Sequence, residues 1–359
     1  MSVEPSVRAA FSTEDSAIPE EKIPAIARAL REAFGREDYE EIRRITVGNT
    51  TSRVFRIVVT GSSFLLKVIL RKDDATRHYA CMKAAAGAGL APRVRYTSVE
   101  DKVSITDFVE ATAFPPADAL VRIPAVLRAL HALPPFPRIP DHINTSCMFL
   151  LNKGPALDEY LARFQTANIL PRNASEELFR CYAQIAAAYP SDADMVSSHN
   201  DLFKPDNILF DGDRVWLVDW EAAFLNDRYA DLAVVANMLV ANDEDEALFL
   251  NEYFGEAADE YQRARFFLAQ QISHTFYAIA FLFLGSSGQQ VDWSETVPTF
   301  REFERRMWAG EINLKEKHMK VAYGRIHWEQ LLHNTRQPRF DEALRIVSDV
   351  KVRFGVTVR

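Results

Sequence analysis

The chain has 359 residues, 48% of them hydrophobic, enough to bury a substantial core and to build two lobes around a cleft. Its formal charge of −8 argues against a nucleic-acid partner, because phosphate backbones are held by clustered Lys and Arg; it suits a cationic small molecule better, and is equally the charge of ordinary solubility. Three scattered cysteines, Cys81, Cys147 and Cys181, give neither a disulfide framework nor a metal-ligand spacing and fit a reducing cytoplasm.

The N-terminal segment MSVEPSVRAAFSTED lacks the apolar stretch of a signal peptide. Residues 19–34 follow with helical spacing, placing Ile23, Ile26, Ala27, Leu30 and Phe34 on one face. Three strand-like runs come next, at 42–47, 53–59 and 63–70, broken by Gly48-Asn49-Thr50-Thr51-Ser52 and by Thr60-Gly61-Ser62. The first break can offer backbone N–H groups and hydroxyls to phosphates, or it is a plain hairpin turn. Lys67 lies in the third run among apolar neighbours, where an exposed edge lysine is the ordinary alternative. A helix is expected over 73–90, closed by Gly89, and a strand over 104–110. Beyond Pro115-Pro116 the spacing predicts helices at 121–132, 157–166 and 174–188.

Residues 198–221, SHNDLFKPDNILFDGDRVWLVDWE, carry the strongest chemical signal. Loose phosphoryl-transfer transition states need positioning and charge neutralisation more than covalent help. Asp201 can accept a proton from an attacking hydroxyl, while Asn207 and Asp219 offer the hard oxygens that magnesium prefers. The runs 208–210 and 215–218, joined by Asp211-Gly212-Asp213, predict a hairpin that brings Asn207 near Asp219. Singly, His199-Asn200-Asp201 is an ordinary polar turn and Asp219 an acid at a strand end; in this order they point to a kinase using Mg-ATP.

Residues 260–284 form a further helical pattern with Phe267, Phe276, Tyr277, Phe281 and Phe283. Tyr277 and Phe281 are four apart and share a face, as core packing or as rings for a cation, each worth about 0.5–2 kcal/mol when well placed. The longest apolar run, Phe276 to Leu284, has nine residues, short of the ~20 a membrane-spanning helix needs, so no membrane insertion is expected. Residues 313–359, with helical 326–333 and 340–350, either pad the molecule or mediate an oligomer such as a homodimer.

On His199 to Leu202, Asn207 to Leu209, Asp219 to Ala233 and Ser273 to Tyr277, residues 40–290 resemble the aminoglycoside phosphotransferase and choline/ethanolamine kinase superfamily, most nearly its choline/ethanolamine kinases. The resemblance implies a bilobal, protein-kinase-like α+β fold. Its N-lobe would be a small antiparallel sheet within residues 1–109, and its C-lobe, residues 110–359, larger and mainly helical. It implies Asp201 as base, Asn207 and Asp219 as magnesium ligands and Asp231 as the brace of the catalytic loop, with His199 in support. ATP would meet Gly48, Asn49, Thr50, Ser52 and Lys67, its adenine the backbone around Asp107 to Val109. Glu221 and the rings of Tyr277 and Phe281 would face the acceptor's cation.

Three departures qualify the resemblance. Five residues separate Asp201 from Asn207 where kinase catalytic loops carry four, so a bulge is expected near Phe203 or Lys204, and strict counting selects Asp206 instead. His78 falls where a helix Glu normally pairs with the strand lysine; either Asp74 reaches in, or Lys67 is held differently. Tyr277 and Ala280 stand where tryptophans are usual, leaving a choline cage incomplete. The expected activity is phosphorylation of a hydroxyl on an amino alcohol such as choline or ethanolamine, with aminoglycoside phosphorylation or a nucleotide-binding scaffold without turnover as alternatives.

Overall fold

The computed structural model describes residues 18–45, 52–71, 74–138, 162, 164–167, 169–190, 194–288, 290–293 and 296–353; Gly48, Asn49, Thr50 and most of the helix expected at 157–166 lie outside them. The chain divides into two units, Met1–Phe114 with Asp206–Ala223, and Pro115–Pro205 with Phe224–Arg359. The first holds an antiparallel sheet, the second most of the helices, an α+β fold.

In the first unit, helix α1 (Ile23–Phe34) carries Pro24 in its opening turn and stops at Gly35, whose left-handed φ of 74° lets its N–H donate to Arg31 O. The five strands β1 (Glu41–Ile45), β2 (Ser52–Val59), β3 (Ser62–Ile69), β4 (Val94–Ser98) and β5 (Val103–Asp107) pair in the order β1-β2-β3-β5-β4, every pair antiparallel. Thr60 and Gly61 both have positive φ, 52° and 71°, the two-residue turn whose twist matches a hairpin. That turn sets Phe55 opposite Leu66 and Ile57 opposite Phe64. These four side chains, with Val68, Ile105 and the Ile26 and Leu30 face of α1, make the core of this unit. Each such burial stabilises by about 1.5–3 kcal/mol. Since neighbours alternate along a strand, Lys67 leaves the sheet on the face away from Leu66 and Val68.

Helix α2 (Thr76–Gly87) follows Asp74, whose carboxylate accepts from the Thr76 amide and hydroxyl at 2.9 and 2.7 Å. The expected hairpin is present as Ile208–Phe210 against Val215–Leu217. Asp211 closes its turn by accepting from the amides of Asp213 and Arg214 and from the Trp216 indole, which hold its carboxyl down at about 2. The Thr112 amide donates to Phe210 O and the Leu217 amide to Leu90 O, tying the hairpin to the residues of the first unit.

The second unit contains α3 (Pro116–His131), α4 (Arg172–Ala188), a strand pair of Met195–Ser198 with Phe224–Asp227, α5 (Arg228–Leu239), α6 (Asp243–Phe254), α7 (Glu260–Ser286), α8 (Phe300–Trp308), α9 (Lys317–Thr335) and α10 (Pro338–Arg353). The Asp259 and Gln262 capping box opens α7. Among the described residues α7 alone is long and apolar enough to cross a membrane, but 89% of its apolar window is buried inside the protein, as in a core helix. The expected C-terminal helical pieces belong to the longer α9 and α10. Gly285 and Gly324 let α7 and α9 approach closely: a Cβ on Gly324 would lie 2.7 Å from the Leu282 backbone. Buried Arg265 bridges Asp194 and Asp227, tying the start of strand Met195–Ser198 to the N-cap of α5.

Candidate active site

In the first unit, β3 delivers the Lys67 ammonium to two carboxylates, Asp219 Oδ1 and Glu221 Oε1, each 2.7 Å away. The lysine side chain keeps only 10% exposure. Burial alone would lower its pKa, yet the two carboxylates outweigh that and raise it, so Lys67 stays charged. Glu221 also receives the Ser52 hydroxyl at 3.2 Å and an Arg71 guanidinium. Burial pushes the Glu221 carboxyl up, but Lys67 holds it below its ordinary value. His78 is buried, and burial together with Lys67 lowers its pKa to about 4, a neutral imidazole near pH 7. Of the two ways left open for Lys67, Asp74 is engaged with Thr76 at the start of α2, and the lysine is held from residues 219–221 instead.

Asn207 and Asp219 meet at one end of the hairpin, where the Val218 amide donates to Asn207 O at 3.0 Å. Asp219 adopts a left-handed φ of 69°, unusual for a non-glycine residue and common where function imposes strain. Asn207 is buried and Asp206 exposed. No three His, Cys, Asp or Glu side chains among the described residues cluster to hold a metal by themselves. One carboxylate and one amide oxygen fit magnesium, which usually takes few protein ligands and completes its shell with phosphates and water.

In the second unit, Asp231 is buried at the start of α5, and its two oxygens accept the His199 and Asn200 amides at 2.8 Å each. Burial pushes its carboxyl up, but hydrogen bonds from His131 and the His199 backbone outweigh that and hold it below its usual range. Asn200 is left-handed, φ 65°, with its side-chain oxygen accepting from Asn226 at 2.7 Å. The loop is thereby fixed just before Asp201, whose carboxylate lies 3.1 Å from the Lys204 ammonium. Leu202 and Phe203 point inward. The Phe203 ring packs on Tyr277 at 5.2 Å and on Phe281 at 5.7 Å, and Tyr323 and His327 close the far side of this aromatic group.

Asp107 ends β5, its amide donating to Arg93 O and its carboxylate holding Arg95; half-exposed Val109 lies beyond the strand. Ser52 opens β2 and touches Glu221. The sequence reading missed Arg71, His131 and the Glu221–Lys67 pair. An α2 devoid of acids was the available signal for the last.

The phosphotransferase enzyme family model matches residues 41–267. No curated relative matches the chain. A choline/ethanolamine kinase family protein from Mesorhizobium loti superposes with a TM-score of 0.63 at 19% identity, covering 91% of this chain and 99% of that one. The Plasmodium vivax ethanolamine kinase reaches 0.54 at 14% identity, covering 84% and 83%. Choline kinase LicA from Streptococcus pneumoniae reaches 0.53 at 12%, covering 92% and 100%. The neighbours share the kinase-like fold, and with the family model spanning well over half of its length this chain belongs to the phosphotransferase enzyme family.

Proposed function

We propose that the protein transfers the γ-phosphoryl group of ATP, with magnesium, to a hydroxyl of a small cationic acceptor, foremost an amino alcohol such as choline or ethanolamine. The observation that carries this reading is Asp201, placed beside a cation on a loop whose preceding amides are locked by buried Asp231. Its carboxylate takes the acceptor's proton as the oxygen attacks phosphorus. Lys67 meets phosphate oxygens, as do the residues of the 48–52 segment. Asn207 and Asp219 hold magnesium, which when bound neutralises charge on the phosphates; the burial of Asn207 and exposure of Asp206 favour this register.

Phe203, Tyr277 and Phe281 support the acceptor class, since their rings adjoin the loop that bears the base and aromatic faces attract ammonium groups. Choline and ethanolamine kinases stand among the structural neighbours, one of them solved with AMP, which supports nucleotide use and makes amino alcohols the first acceptors to test. The test is ADP formation with Mg-ATP across amino alcohols, sugars and aminoglycosides. Turnover of amino alcohols supports the reading; turnover of antibiotics alone moves the chain to the aminoglycoside type, and acceptor-independent silence makes it a scaffold.

A further inference from the structure

A buried ammonium needs a standing counter-charge, because an unpaired ion in a protein interior is costly. Helix α2, whose His78 senses Lys67, reads Thr-Arg-His-Tyr-Ala-Cys-Met-Lys-Ala-Ala-Ala-Gly and contains no carboxylate at all. Of the two acids just before it, Asp74 is engaged with Thr76, and Asp73 lies outside the described residues. Among the described residues two carboxylates reach Lys67, Asp219 and Glu221, and they are not equivalent. Asp219 sits beside Asn207 with the donor set of a metal ligand, so a dication would compete for its oxygens. Glu221 is two residues on, within the short turn Trp220–Ala222, and its remaining contacts are the Arg71 guanidinium and the Ser52 hydroxyl. The Arg77 guanidinium donates to the Glu221 and Ala223 carbonyls, fixing the backbone that carries it.

We propose that Glu221 is the permanent counter-ion of Lys67, standing in for the acid that α2 lacks, and that it positions the ammonium for the nucleotide's phosphates. This deepens the phosphoryl-transfer reading and rests on it. It also removes Glu221 from the acceptor's cation site, leaving that task to the aromatic group. A consequence is that the metal ligand and the lysine's counter-ion share one three-residue segment, so whatever sets Asp219 also sets Lys67.

The test is a cycle of Glu221→Gln, His78→Glu and the double variant, read in the full chain by melting temperature, ADP affinity and turnover. Alone, His78→Glu buries a third carboxylate around a single lysine and lowers the melting temperature by several degrees. In the Glu221→Gln background the new acid takes over the pairing and most of that loss disappears. ADP affinity falls about 3–10-fold in Glu221→Gln and returns in the double variant. With a competent acceptor, Glu221→Gln lowers kcat about 10–100-fold with the acceptor's KM nearly unchanged, and the double variant recovers about tenfold of it.

Additive melting losses with no recovery of ADP binding would overturn the proposal. So would a Glu221→Gln whose acceptor KM rises while kcat holds, the behaviour of a residue that meets the acceptor. The melting and ADP readings need no acceptor. A chain that passes them and phosphorylates nothing keeps the Lys67 clamp and loses the kinase reading, whereas one that turns over acceptors with additive losses does the reverse.

Discussion

At the scale of single residues, Asp201 and Asp206 carry the same charge in different settings. Asp201 is mostly buried beside Lys204, and Asp206 is exposed. Asp206→Ala is therefore expected to leave magnesium-dependent turnover within about threefold of the parent, and Asn207→Ala to lower it by about 10²-fold or more. Severe loss at Asp206 with little at Asn207 would transfer the metal role to Asp206. The chemistry of this stretch was legible because its residues are close in sequence: His199, Asp201, Asn207 and Asp219 span one loop and one hairpin. Lys67 with Glu221 was not legible, since the two are far apart in the chain and only the missing acid on α2 hinted that another partner existed.

At the scale of elements, the close approach of α7 and α9 makes a sharp prediction. Gly324→Ala puts a methyl group 2.7 Å from the Leu282 backbone, and Gly285→Ala does the same against Val321. Each should cost about 1–3 kcal/mol, read as a melting temperature lower by roughly 2–4 °C per kcal/mol. Gly87→Ala, at the end of α2 with open space around its Cβ position, is the control and should be neutral or slightly stabilising. Equal effects at all three would show that the α7–α9 contact is not tight. The amphipathic elements were legible: α1 and the β2–β3 hairpin appear close to where their periodicity puts them. Helix α5 escaped because Tyr229 through Met238 is buried on every side, which erases the polar face that periodicity depends on. Strand β4 escaped for the opposite reason, being only partly buried along its length.

At the scale of the whole molecule, stability should respond to pH through a buried polar group between α7, α8 and α9. Glu304 lies 3.7 Å from His327 Nε2, and His327 Nδ1 is 2.9 Å from His274 Nδ1, with Tyr323 and Arg301 facing the carboxyl. Burial raises the Glu304 pKa to about 8, so its stabilising contribution is complete below the ordinary carboxyl value and is lost as pH rises through about 8. Burial lowers His274 to about 3 and His327 in the same direction, so their contribution is present above about 6.5 and is lost as pH falls. Melting temperature should therefore decline toward both ends, and Glu304→Gln should flatten the alkaline side while leaving the acid side in place. An unchanged alkaline decline in that variant would exclude Glu304 as its source.

The residues proposed for catalysis are divided between the two units, with Lys67, Asn207 and Asp219 in one and Asp201 in the other. The most direct measurement of the central claim is ADP release from Mg-ATP with and without an amino-alcohol acceptor, in the parent chain and in Asp201→Asn. Acceptor-dependent turnover that falls about 10²–10⁴-fold in the variant, with ADP affinity and melting temperature nearly unchanged, is the predicted result. Parent-like turnover in Asp201→Asn would contradict the account, because the base it assigns would then take no part in phosphoryl transfer.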